Sequence, residues 1–207
     1  MKQAQFISLM SDSLGIEEKT LRIVVRTLRL EGLFTTGARG VNAPDMTPLD
    51  VARVTIAVVA SSSPARAARD VRYFGSLRPF TDSERTREAL AATKLDPDKT
   101  LEETLVDVVE RKLPDAVVDH AELILNDRGE CTLSIQDMFA VTYDHREQRD
   151  AAMSAFLLNR SDHSAKRDAT EGWEVVQRAT EFKINRTTCF SLEELDRIGF
   201  LMSGGEV

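Results

Sequence analysis

The sequence predicts an α+β chain, with a helical N-terminal part followed by further helices and a C-terminal antiparallel β-sheet domain. Three observations carry that prediction. Apolar residues recur at helical spacing between Ser, Thr and Pro start signals through residues 1–118, and from Asp119 the apolar period falls to two. Charge divides along the chain as well: residues 1–80 carry 11 Lys+Arg against 7 Asp+Glu, and residues 81–207 carry 16 against 27, a net +4 followed by −11. A positive first part and an acidic remainder suit a nucleic-acid-facing region, 1–80, a helical connector or oligomerisation segment, 81–118, and an α+β domain, 119–207. Surface solubility alone would also explain an acidic half.

Phe6, Ile7, Leu9, Met10 and Leu14 supply the apolar side of a first helix, and Leu14-Gly15-Ile16 a turn where glycine accepts a positive φ cheaply. Glu17 and Glu18 open a second helix, acids at the positive end of its dipole. At about 100° per residue, Leu21, Val24, Val25 and Leu28 share one side of it, while Lys19, Arg22, Arg26 and Arg29 fall in a neighbouring arc. After Glu31-Gly32, Leu33 and Phe34 read as a first strand, Thr36-Gly37-Ala38-Arg39-Gly40 as a hairpin tip, and Val41 as the return. That is the order of a winged helix-turn-helix. Its second helix fits the major groove, where arginine pairs with guanine edges or phosphates, and Arg39 between two glycines fits a narrow minor groove. A solvated amphipathic helix and a flexible surface loop are the plainer readings of the same residues.

Thr47 reads as an N-cap, with Pro48 in the first helical position and Asp50 three residues after the cap. Val51, Val54, Ile56, Ala57, Val58 and Val59 make the helix that follows apolar around much of its circumference, which suits the centre of a core or an oligomer contact. Ser63-Pro64 repeats the start signal for a helix that ends at Gly75 and carries Arg66, Arg69 and Arg72 three apart, a second positive face able to hold phosphates or an acidic partner surface. Leu77 to Thr81, with Pro79, is read as a domain boundary.

A polar helix over 83–93, a turn at Asp96-Pro97-Asp98 and a capping box at Thr100-Leu101-Glu102-Glu103 come next. Leu101, Leu105, Val108, Val109 and Leu113 then keep helical spacing up to Pro114. Ala121, Leu123 and Leu125 alternate outward to Asn126-Asp127-Arg128-Gly129, and Cys131, Leu133 and Ile135 alternate back, the pattern of a hairpin. Phe139, Val141 and Tyr143 predict a third strand, 147–158 a helix, 160–171 a polar loop and 173–184 one or two strands. Ser191 caps a final short helix that reaches Ile198 and ends at Gly199.

Chemistry-bearing motifs are sparse. The chain contains no GxGxxG, GxxxxGK[ST], GxSxG or HExxH, so catalysis is not expected, and no cofactor or metal is implied. Cys131 and Cys189 lie far apart without CxxC spacing, which suits free thiols in a reducing cytoplasm. His120, His145 and His163 are scattered; Asp144-His145 and Asp162-His163 are the acid–histidine neighbours. No run approaches the roughly 18 apolar residues of a membrane span, and no signal-peptide pattern opens the chain. A cytoplasmic protein is expected.

Residues 14–42 resemble the winged helix-turn-helix regions of small phage and prophage-encoded DNA-binding proteins: a Gly turn, a basic helix ending in Leu28-Arg29-x-x-Gly32-Leu33, and a Gly37-x-Arg39-Gly40 tip. The resemblance covers about a fifth of the chain. It implies double-stranded DNA as partner and transcriptional control, or genome packaging, in a mobile element. The coarse order of helix-turn-helix, central helices and β region is similar to small terminase subunits, which would imply a ring-forming homo-oligomer. A protein-interaction or inhibitor module, with the acidic half binding a protein partner, is the alternative of another class. On the leading reading, Lys19, Arg22, Arg26, Arg29, Arg39, Arg66 and Arg69 contact DNA.

Overall fold

The computed structural model describes residues 1–37, 43–81, 84–125, 131–135, 139–145 and 188–205. Helix α1 (Gln3–Leu14) stops at Gly15, whose φ of +62° turns the chain while Ile16 N–H returns to the Ser11 carbonyl at 3.2 Å. Helix α2 (Glu18–Leu30) buries Leu21, Val24, Val25 and Leu28, the side that periodicity predicts. It closes through Gly32, at φ +70°, with Leu33 N–H on the Leu28 carbonyl at 2.8 Å.

The predicted first wing strand at Leu33 and Phe34 is not a strand. Phe34 turns inward, 4% exposed, and sets its ring edge-on to Phe6 with centroids 5.8 Å apart. The next donor, Thr35 N–H, goes to the Asp50 carboxylate at 2.8 Å. An apolar side chain joined the core, and a backbone group found a side-chain acceptor where a neighbouring strand was expected. The predicted tip with Arg39 and the return at Val41 lie outside the described residues.

Asp50 also accepts the N–H and the hydroxyl of Thr47, both at 2.8 Å, so the predicted cap opens helix α3 (Pro48–Ala60) as a capping box. Seven of the α3 side chains between Val51 and Ala60 are buried, so its apolar circumference belongs to the core of this chain. Ser63 makes no side-chain cap bond. Pro64 starts a 3-10 turn (Pro64–Arg66), and helix α4 (Ala67–Gly75) begins only after it.

Leu77 to Thr81 joins what the sequence reading separated. Leu77 is buried, strand β1 (Arg78–Pro79) forms one edge of a sheet, and Phe80 N–H donates to the Thr142 carbonyl at 2.7 Å. Proline at a sheet edge loses no ladder bond. The remaining strands are β2 (Ala121–Leu125), β3 (Cys131–Ile135), β4 (Phe139–Asp144) and β5 (Thr188–Ser191), in the order β1-β4-β3-β2-β5 and antiparallel throughout. Leu123 faces Leu133 on one side and Phe190 on the other, as the alternation requires. The hairpin and third strand match expectation; β5 does not appear in the sequence reading.

Helix α5 (Glu84–Ala92) precedes α6 (Leu101–Val109), where Glu103 N–H donates to the Thr100 hydroxyl and Thr100 N–H to the Glu103 carboxylate, at 3.3 and 2.7 Å. A short helix α7 (Asp115–Val118) leads into the sheet. Helix α8 (Leu192–Met202) runs three residues past its predicted end at Gly199. The reason is packing: a Cβ at Gly199 would lie 2.0 Å from the Val109 carbonyl oxygen, so glycine lets α8 cross α6 closely and is no stop signal. α6 is covered by α3, α4 and α8, so the apolar face offered by the sequence for oligomerisation is consumed within the chain. Arg53 of α3 braces the stack with a forked bond to Glu102, at 2.8 and 3.2 Å. One buried cluster runs from Phe6 to Ile198. The predicted helix over 147–158, loop over 160–171 and strands over 173–184 lie outside the described residues. Among the described residues no helix is long and apolar enough to cross a membrane.

Candidate nucleic-acid interface

Helix α2 is held from behind. α1, α3, α4 and the 3-10 turn pack on it, its inner row is buried, and Lys19, Arg22, Arg26 and Arg29 are exposed on the outside. Those four cations have unequal freedom. Arg22 donates to Glu18 one turn back at 2.7 Å, and that bond holds the Glu18 carboxyl below its ordinary value. The pair is exposed, so breaking it costs little. Arg29 donates to Gln3 of α1 at 2.6 Å and lies 5.8 Å over the Phe34 ring, which fastens it to the helical hairpin. Lys19 and Arg26 have no ion-pair or hydrogen-bond partner among the described residues.

The second basic set divides in the same way. Arg66 is exposed and unpaired among the described residues, and the turn that carries it packs directly on α2. Arg69 bonds Asp70 at 2.8 Å through Nε and 2.7 Å through Nη2. Asp70 is only 1% exposed, so the guanidinium offsets a desolvated carboxylate. Arg72 reaches Glu31 at 2.9 Å and also donates to its carbonyl, tying α4 to the end of α2. Arg78 donates to the Asp98 carbonyl. The structure therefore places Lys19, Arg22 and Arg26 on the outer side of α2, with Arg66 on a turn that packs against that helix; Arg29 and Arg69 carry structural duties, and Arg39 lies outside the described residues.

Two residues in this region escaped the sequence reading. Ile23 is 48% exposed and Leu30 77%, the exposed large hydrophobics among the described residues. At about 100° per residue they share an arc of roughly 60° with Lys19 and Arg26, and no acid falls within it. The signal was present in the wheel: neither side chain belongs to the arc of Leu21, Val24, Val25 and Leu28.

Elsewhere, a cavity of about 660 Å³ is lined by Ser76, Arg78, Phe80, Asp98, Thr100 and His145, among others. His145 Nε2 lies 3.3 Å from Ser76 Oγ and its ring meets Tyr73 edge-on at 5.2 Å. Burial holds the imidazole below its ordinary value, against the Tyr73 backbone bond and the Asp144 charge. Ser76 Oγ is within 2.9 Å of two carbonyls, those of Arg72 and Tyr73, so its hydroxyl proton has acceptors other than the imidazole. Cys131 is buried, and burial pushes its thiol up. No group of three His, Cys, Asp or Glu with metal-binding geometry occurs among the described residues. Compared with family models, curated proteins and solved structures, the chain matches none.

Proposed function

We propose that this chain binds double-stranded DNA through α1, the Gly15 turn and α2, as a helix-turn-helix regulator of the phage or mobile-element type that the resemblance implies. The observation that supports this best is the division of α2: its inner row is locked into the core, and its outer row presents Lys19, Arg22 and Arg26 with Arg66 beside it. A helix held by the core on one side and exposing cations on the other is what the major groove accepts, and phosphate contacts supply most of the affinity. Arg39 keeps its place in the proposal on sequence grounds alone. Arg29 and Arg69 are assigned to holding α2 and α4 in place.

Fluorescence anisotropy with labelled duplex DNA tests the proposal. For four phosphate contacts, affinity should fall about a hundredfold between roughly 50 and 200 mM salt, and Arg26→Ala should weaken binding about tenfold with an unchanged melting temperature. Absence of binding at the lowest salt rejects it.

A further inference from the structure

The row of α2 that carries Arg26 also carries an aliphatic side chain that the core does not use. We propose that Ile23 makes α2 a reader of thymine, its side chain meeting the C5-methyl group of a thymine beside the base pair contacted by Arg26. The inference rests on the DNA-binding reading above and deepens it. Leu21, Val24, Val25 and Leu28 already fill the inner side, so Ile23 stays half exposed and outside the buried cluster, on the same outward arc as a cation that is free among the described residues. Ile23 and Arg26 are three positions apart, about 4.5 Å along the axis, and so address base pairs one or two steps apart. In the major groove thymine is marked by its methyl group, and an aliphatic contact is how that mark is read. Ile23 lies nearer the N-terminus of α2, the end from which such a helix meets base edges, whereas Leu30 is its last residue.

Charge decides against a second copy of this chain as the occupant. Pairing the row with itself would set Lys19 and Arg26 against their own equivalents with no acid in the arc, and two side chains supply far less than the roughly 800 Å² per partner of a stable interface. A groove walled by phosphates and floored with methyl groups matches both characters of the row.

The test uses a duplex that the full chain selects from a random-sequence pool, and the same duplex synthesised with deoxyuridine for thymidine, which removes only the C5-methyl groups. Affinity should drop about threefold to fivefold per contacted methyl. That drop should vanish in Ile23→Ser, return in Ile23→Val and persist in Leu30→Ala. Because Ile23 is half exposed, thermal melts of the variants should coincide with the parent, which separates lost contact from lost fold. If the deoxyuridine duplex binds as tightly as the thymidine one while Arg26→Ala still weakens binding, thymine reading is overturned and DNA binding stands. A DNA-free dimer broken by both Ile23→Ser and Leu30→Ala overturns it in favour of self-association. Failure to bind any duplex removes both readings together.

Discussion

Arg69 and Arg26 look alike in the sequence and differ because of one neighbour, Asp70. Asp70 sits in the core, and the guanidinium next to it is what makes its charge tolerable. Arg69→Ala, which takes this partner from a buried carboxylate, should therefore destabilise by about 1–3 kcal/mol, measured by urea denaturation, while Arg26→Ala should leave the midpoint unmoved and, on the proposed function, reduce DNA affinity. Gly199→Ala is a harsher change, since the added methyl meets the Val109 carbonyl; a loss of about 3 kcal/mol or more in the same assay is expected. His145 sets a pH dependence. Its pKa lies below the ordinary 6.5 in the folded chain because of burial, so the unfolded chain takes up the proton first as pH falls. Its contribution is complete above the ordinary value and is lost as pH drops below it; His145→Gln should flatten the fall in urea midpoint between about pH 7 and 5. None of these roles is readable from residue type or spacing, because each depends on burial, on a partner distant in sequence or on a close backbone crossing.

Elements whose signals are local were legible. Thr47-Pro48-Asp50 and Thr100-Glu103 name helix starts because donor and acceptor are three residues apart, and both boxes form. Thr100→Ala should cost about 0.5–2 kcal/mol. Hydrogen bonds from Thr100, backbone first and hydroxyl second, hold the Glu103 carboxyl below its ordinary value; the stabilisation is present above that range and is lost as pH falls through it. Stability measured against pH should show this loss in the parent and not in Glu103→Gln. Ser63-Pro64 carries the same letters and misled, since proline there opens a 3-10 turn and the serine caps nothing. Leu33 and Phe34 misled for another reason. Two apolar residues after a glycine fit a strand or a core plug equally, and only Phe6 and Asp50, from other elements, decide between them.

At the scale of the molecule, the charge asymmetry was visible and the architecture was not. A division at residue 80 follows from composition, yet α6 covers α3 and α4, and β1 completes a sheet made from residues beyond 120. A fragment of residues 1–80 would expose the sides of α3 and α4 that α6 now covers, and circular dichroism should find it largely unfolded at 25 °C, a temperature at which the full chain remains folded. The free cations of α2 are thus displayed by a scaffold to which the acidic half contributes directly.

The contact between the ends of that scaffold has a consequence in time. α8 packs on α1, with Arg197 donating to Ser13 at 2.9 Å across 184 positions of sequence. At roughly 5–20 residues per second on the ribosome, α1 waits on the order of ten seconds or more for the helix that seals it. Until then the hairpin of α1 and α2 lacks part of its backing, and the outward row of α2 is displayed by an unfinished support.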